Sequence, residues 1–233
     1  MKKFIFAAVC IVAMSCSDEI ELTGNNATSE FLQDGFTGVG VQDGFELYII
    51  NDTVEPKVRI ETDEKAISHV KHTIKQGMLY FYKEKDVEFP SDALVKIYVT
   101  KDSLSALIAS SSKIIISDTL RNENVNVKIS NMGSIEGRIE CVNLTSIINN
   151  SSSSISGQVS NLMLNTYSGS NVNSIGLRSD NVKANISGGS SVYLFVNNEL
   201  ELEATEGSYM GYRGTGIIRS MLLEDDSKLE KLN

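Results

Sequence analysis

Apolar and polar residues alternate with a period of two along most of this chain, and from residue 104 onward the alternation itself repeats. Segments beginning at Leu104, Val125, Leu144, Leu162, Val182 and Leu200 follow one another at intervals of 21, 19, 18, 20 and 18 residues. In five of them the first, third and fifth positions are apolar or small, as in Leu104-Ala106-Ile108 and Leu200-Leu202-Ala204. Leu144-Ser146-Ile148 keeps the apolar ends around a serine. This spacing predicts strands with one buried face.

Eight residues after each start stands a small residue: Ser112, Gly133, Ser170, Ser190 or Ser208. Two residues further on comes an apolar anchor: Ile114, Ile135, Val172, Val192 or Met210. The Leu144 segment joins the register if one serine of "SSSS" is an insertion, which makes Ser153 its corner and Ile155 its anchor. One extra residue in a turn is a tolerated irregularity. A strand that returns about every twenty residues buries its apolar face only by stacking on its neighbours. Parallel neighbours need a crossover, here a second short strand, so the chain is predicted to wind as a β-solenoid. Gly and Ser serve as its corners, because small residues let the chain turn while coils stack closely.

Residues 33–100 alternate equally well in "FTGVGV", "GFELYII", "KVRIET" and "LVKIYVT", without the repeat. "KQGML" predicts a hairpin turn with Gly77 at positive φ. No long run has helical period, so very little helix is expected.

The first residues do not belong to the fold. Lys2 and Lys3 precede the apolar run "FIFAAVCIVAM", too short to span a bilayer, which ends in "AMSC". Residues 1–15 are therefore read as a signal peptide. Cys16 has the place of the lipidated cysteine in bacterial lipoprotein signals, although plain cleavage after "AMS" also satisfies the small-x-small rule. Residues 16–32, opening "CSDEIELTGNN", read as an acidic tether, and "SDE" resembles the export signal of surface lipoproteins in Bacteroidetes. Residues 33–230 then form one continuous domain, with a β-rich N-terminal layer over 33–100 and solenoid coils over 101–230.

The formal charge of −9 becomes −11 without the leader, with 19 basic against 30 acidic residues. A phosphate backbone would be repelled, so nucleic acid is excluded as a partner. Cys141 is the remaining cysteine once Cys10 leaves and Cys16 carries lipid, so no disulfide framework is expected. It reads as a buried structural residue, the alternative being a nucleophile.

"GFTGVGVQDGFELYI", "KVRIETDEKAI", "KQGMLYFY" and "VKIYVT", followed by repeated coils such as "SGGSSV", resemble the head GIN domain family of Bacteroidetes, whose name attaches it to auto-transporter adhesins. The likeness spans roughly residues 34–220. It implies a right-handed parallel β-helix-like domain without catalytic residues. The lipoprotein-like leader, with no barrel after the solenoid, departs from what a self-exporting auto-transporter needs.

Candidate chemistry is sparse. His69 and His72, three apart on a strand, face opposite sides and do not converge on a metal. Glu199, Glu201 and Glu203 share one outward face. They are either oxygen ligands for Ca²⁺ or a solvated row in which Glu201 lies beside Lys183 of the previous coil. Tyr193 and Tyr209, with Tyr167 and Tyr212, offer either sugar-stacking surfaces or coil packing. Rows of Asn and Ser suit a glycan or protein surface bound by many weak hydrogen bonds. No catalytic residue, metal ligand or cofactor is assigned. The expected role is a non-enzymatic cell-surface binding or adhesion module; the alternatives are a structural or regulatory envelope protein and, more remotely, a polysaccharide lyase or glycosidase.

Overall fold

The computed structural model describes residues 18–51 and 56–233; the leader, Cys16 and the first tether residue lie outside them. Ten short strands come first: β1 (Asp18–Glu19), β2 (Asn26–Leu32), β3 (Gly38–Val41), β4 (Glu46–Ile50), β5 (Lys57–Asp63), β6 (Val70–Lys75), β7 (Met78–Lys83), β8 (Val87–Glu88), β9 (Lys96–Thr100) and β10 (Ala106–Ser110). Five long ones follow: β11 (Lys113–Ser130), β12 (Ser134–Asn149), β13 (Ser152–Tyr167), β14 (Asn171–Ile186) and β15 (Ser191–Ala204). The last three are β16 (Tyr209–Arg213), β17 (Ile217–Leu223) and β18 (Lys228–Lys231). Together they form a parallel β-solenoid of about seven turns. Helix among the described residues amounts to one 3₁₀ turn, Ile67–His69.

An 18-residue strand such as β11 cannot be straight. Val125 pairs in parallel with Leu144, so the chain closes a full circuit within 19 residues. Each long strand therefore serves two faces. Register shifts mark several of the bends, at Ile115/Thr119, Ser153/Gly157 and Ser174/Arg178. The inward residues stack in columns, among them Val125–Leu144–Leu162–Val182–Leu200 and Ile129–Ile148–Thr166–Ile186–Ala204, all buried. Burial of these side chains is the main driving force for the coil, at roughly 1.5–3 kcal/mol each.

The serine clusters are corners, and the geometry shows why serine. Ser168–Gly169, Gly188–Gly189, Glu206–Gly207 and Asp225–Asp226 are pairs at positive φ, each followed by a buried serine: Ser170, Ser190, Ser208 or Ser227. The Ser190 hydroxyl donates to the Ser187 carbonyl at 2.7 Å and accepts the Ser170 N–H of the previous coil at 3.2 Å. Ser227 accepts the Ser208 N–H at 3.0 Å, and Ser112 the Gly44 N–H at 3.2 Å. One hydroxyl thus satisfies two turn groups that burial would leave without water. Gly133 follows the pair Asn131–Met132 in the same way.

Three expectations need correcting. Ser153 is no corner: Ile135 pairs with Ser153, and Ser153 with Val172, so it occupies the inward anchor position and is 4 % exposed. The turn after Asn149 is one residue shorter than its neighbours, not longer. Ser151 is the corner and donates back to the Asn149 carbonyl at 2.8 Å. Ile155 then pairs with Gly137, a large side chain facing none, as Ile135 faces the small Ser153. The second correction concerns the first coil. Leu107 pairs with Val127, so Leu107 and Ala109 point inward while Ala106 and Ile108 do not. A slip of one residue exchanges the faces of the whole strand. Third, the expected tether gives way to structure well before residue 33: β1 pairs with β8, and β2 runs antiparallel to β5 from Asn26↔Asp63 to Leu32↔Lys57.

The N-terminal layer continues both faces. On one, β10 is followed by β3, β7 and β6. On the other, β11 pairs with β4, then β9, then β5 and β2. The β6–β7 hairpin turns at Gln76 and Gly77, both at positive φ.

Candidate functional site

The carboxylate row lies where the alternation puts it, on the outward side of β15. Glu199 meets Arg219 at 2.5 Å, and Glu201 meets Lys183 at 3.3 Å. The Arg219 guanidinium holds the Glu199 carboxyl below the usual range. Glu203 pairs in register with Asn185 of the previous coil. Solvent screening leaves exposed pairs of this kind little weight in stability. Two of the three carboxylates are thus tied to cations, and no cluster of three metal-ligating residues occurs among the described residues.

Beside the row runs an asparagine ladder. Asn181 donates to Asn161, Asn161 to Asn143 and Asn143 to Asn124, at 3.0, 2.9 and 2.8 Å. The two middle amides, Asn161 and Asn143, each use one donor and one acceptor along the stack and have another of each to spare. The ladder borders a shallow depression of about 290 Å³ that also includes Met163, Lys183 and Glu201.

Of the four expected tyrosines, Tyr212 is buried at 5 % exposure and is core. Tyr193 and Tyr209 pack on each other with ring centroids 5.6 Å apart. The Tyr209 hydroxyl donates to Glu230 at 2.8 Å, which pushes its pKa up to about 12. Tyr193 also lines a hollow of about 250 Å³ with Asn173, Arg213 and Leu232. Tyr167 is exposed.

Cys141 is half-buried, and desolvation raises its thiol to about 11. His69 is held to Glu84 at 2.7 Å, whereas His72 stacks on Phe31 with centroids 4.6 Å apart. Burial lowers the His72 pKa. Glu140 is bridged to Arg121 and Arg138 at 3.0 and 2.7 Å, which holds its carboxyl below the usual range.

One further depression was not anticipated. It is an open groove of about 760 Å³ lined by Gln42, Thr73, Lys75, Gln76, Tyr80 and Tyr82. Tyr80 and Tyr82, two apart on β7, share a face; Thr73 sits opposite Tyr80 on β6. Gln42 arrives from the end of β3, its N–H bonded to the Phe81 carbonyl at 3.2 Å. A side chain on Gly40 would collide with Cδ1 and Cε1 of Tyr80, so the ring occupies the space this glycine vacates. The signal was present as "GVG" and "LYFY", but nothing local says that these two stretches pair.

The profile of the family described as "Putative auto-transporter adhesin, head GIN domain" matches residues 35–216. No curated protein matches. Among solved structures, a "putative adhesin" from Bacteroides fragilis superposes with TM-score 0.82 at 14 % identity, over 91 % of this chain and all of that one. A "putative adhesin" from Parabacteroides merdae gives 0.70 at 15 %, over 93 % and 100 % of the two chains. A "putative lipid binding protein" from Parabacteroides distasonis gives 0.71 at 14 %, with the same coverage. At such identities the likeness is one of fold.

Proposed function

The chain belongs to the head GIN domain family, and we propose that it is a non-enzymatic binding module of the cell surface. In this reading Cys16 carries lipid, anchors the protein in the outer membrane, and the "SDE" that follows directs it to the outer face. The observation that carries the reading is the division of the molecule: an interior of stacked apolar side chains, and outward faces of asparagine ladders and grooves suited to many weak polar contacts. Candidate acid–base carboxylates are spent on arginine and lysine partners, which disfavours the lyase or glycosidase alternative, a reaction that needs two carboxyl groups facing each other across a cleft. The partner class is a glycan or a surface protein.

Protease shaving of intact cells, with lysed cells as control, tests the placement. Digestion of the mature domain in intact cells is expected. Protection until lysis would transfer the protein to the periplasmic side and favour a structural or regulatory envelope role.

A further inference from the structure

We propose that the groove over the β6–β7 hairpin is a glycan-binding site for uncharged sugars, with Tyr80 as its stacking platform. The proposal rests on the binding-module reading and gives it a location and a ligand class.

Two observations point to the same ligand. The first is the floor. Gly38 and Gly40 leave β3 without outward side chains; the space over Gly40 is filled by the Tyr80 ring and that over Gly38 by the Met78 thioether. An aromatic laid over a neighbouring strand in this way lines the groove instead of standing in solvent, and Tyr82 continues the surface on the same side. An aromatic surface with a polar tip suits the apolar C–H face of a pyranose ring.

The second is the rim. Gln42 and Gln76 provide two carboxamides, Thr73 a hydroxyl and Lys75 an ammonium group. Carboxamides both donate and accept, as sugar hydroxyls do. Among the described residues Lys75 has no carboxylate within ion-pair distance, so its protons are available to hydroxyl oxygens. Among the described residues no carboxylate lines the groove; Asp43 stands at its edge and accepts from the Gln42 carboxamide at 3.2 Å. The volume of about 760 Å³ lies within the range of small-ligand sites, roughly 300–1,000 Å³, and the open shape suits an internal stretch of polymer. A polyanion is disfavoured by the field of a mature chain carrying −11.

Native gels cast with neutral polysaccharides (xylan, galactan, glucomannan, mixed-linkage glucan) or with polygalacturonate test this on the full mature chain. At least one neutral polymer is expected to retard the protein. Tyr80→Ala should reduce that retardation about tenfold or more, as loss of a central aromatic contact does, and Asp118→Asn, an exposed change outside the groove, should leave it unchanged. If Tyr80→Ala loses its far-UV circular dichroism, the surface variant Gln42→Ala/Thr73→Ala takes its place and should also weaken retardation. No retardation by any neutral polymer, retardation by polygalacturonate alone, or full retardation of folded groove variants would each overturn the proposal. Failure here with digestion in intact cells would discard the glycan groove and keep the surface-binding reading.

Discussion

Replacing Thr166 by valine should make the protein more stable. Thr166 occupies the inward column between Ile148 and Ile186 and has no exposed surface, yet its hydroxyl finds no hydrogen-bond partner. In the unfolded chain water satisfies that hydroxyl, so folding strips it without replacement, at a cost of about 1–3 kcal/mol. Valine keeps the shape, puts a methyl where the oxygen was, and adds roughly 0.8 kcal/mol for the extra buried carbon. Allowing for a compact unfolded state, the net gain should be about 1–2 kcal/mol. With a urea slope near the upper end for single domains, about 3 kcal/mol/M, the midpoint should rise by roughly 0.3–0.7 M. Equilibrium urea unfolding followed by far-UV circular dichroism measures it. An unchanged or lower midpoint with the same slope would refute the reasoning and mean that the hydroxyl is satisfied in solution. Thr62→Val offers a second site, since its buried hydroxyl is also unpartnered.

Other outcomes follow from the corners, the bends and the titrating groups. Ser190→Ala removes the acceptor for the Ser170 N–H and the donor to the Ser187 carbonyl, and should lower stability by about 1–3 kcal/mol in the same urea assay. Gly157 has φ +124°, and a methyl there would run into the Ile139 carbonyl oxygen; Gly157→Ala should cost more than about 3 kcal/mol, visible as loss of soluble protein. The Cys141 thiol, raised to about 11 by burial, should resist an aromatic disulfide reagent at pH 8 and react fully in denaturant; fast labelling of the native protein would contradict its burial. His72 is lowered from 6.5 by burial, so the neutral ring is the folded form. The stability it contributes is intact above pH 6.5 and is lost as pH falls through the lowered value. His72→Phe should flatten that acid limb of a thermal-melt profile, and an unchanged limb would assign it to other groups. Arg219 is the one charged side chain on β17, between exposed Ile218 and Met221, and a register shift falls beside it; Arg219→Val should promote aggregation by light scattering, because charge and irregularity both blunt an edge strand.

Sequence alone determined the strands of the coils, their inward faces from Val125 onward, and most of the corners. These are local requirements. Period-two alternation dictates which side of a pleat is buried, and consecutive residues at positive φ favour glycine in "SGS", "GGS" and "EGS". The pairing of Glu201 with Lys183 was legible for the same reason, since the coil length fixes which outward residues stack. "SSSS" was not legible, because a run of identical residues fits an insertion and a deletion equally; only the backbone pairs Asn149↔Tyr167 and Ser152↔Asn171 decide that the turn is short. The first coil resisted for a similar reason, as Leu104 is buried without belonging to the paired strand. β2 was hidden because it is a polar edge strand with little apolar pattern, formed only when β5 offers its free edge. The groove required the most tertiary information of all. Its glycines, glutamine and tyrosines come from segments some forty residues apart, and what joins them is the parallel pairing of β3 with β7. Alternation along each segment says which side is outward, but only the hydrogen bonds between segments say whose outward side becomes a common wall.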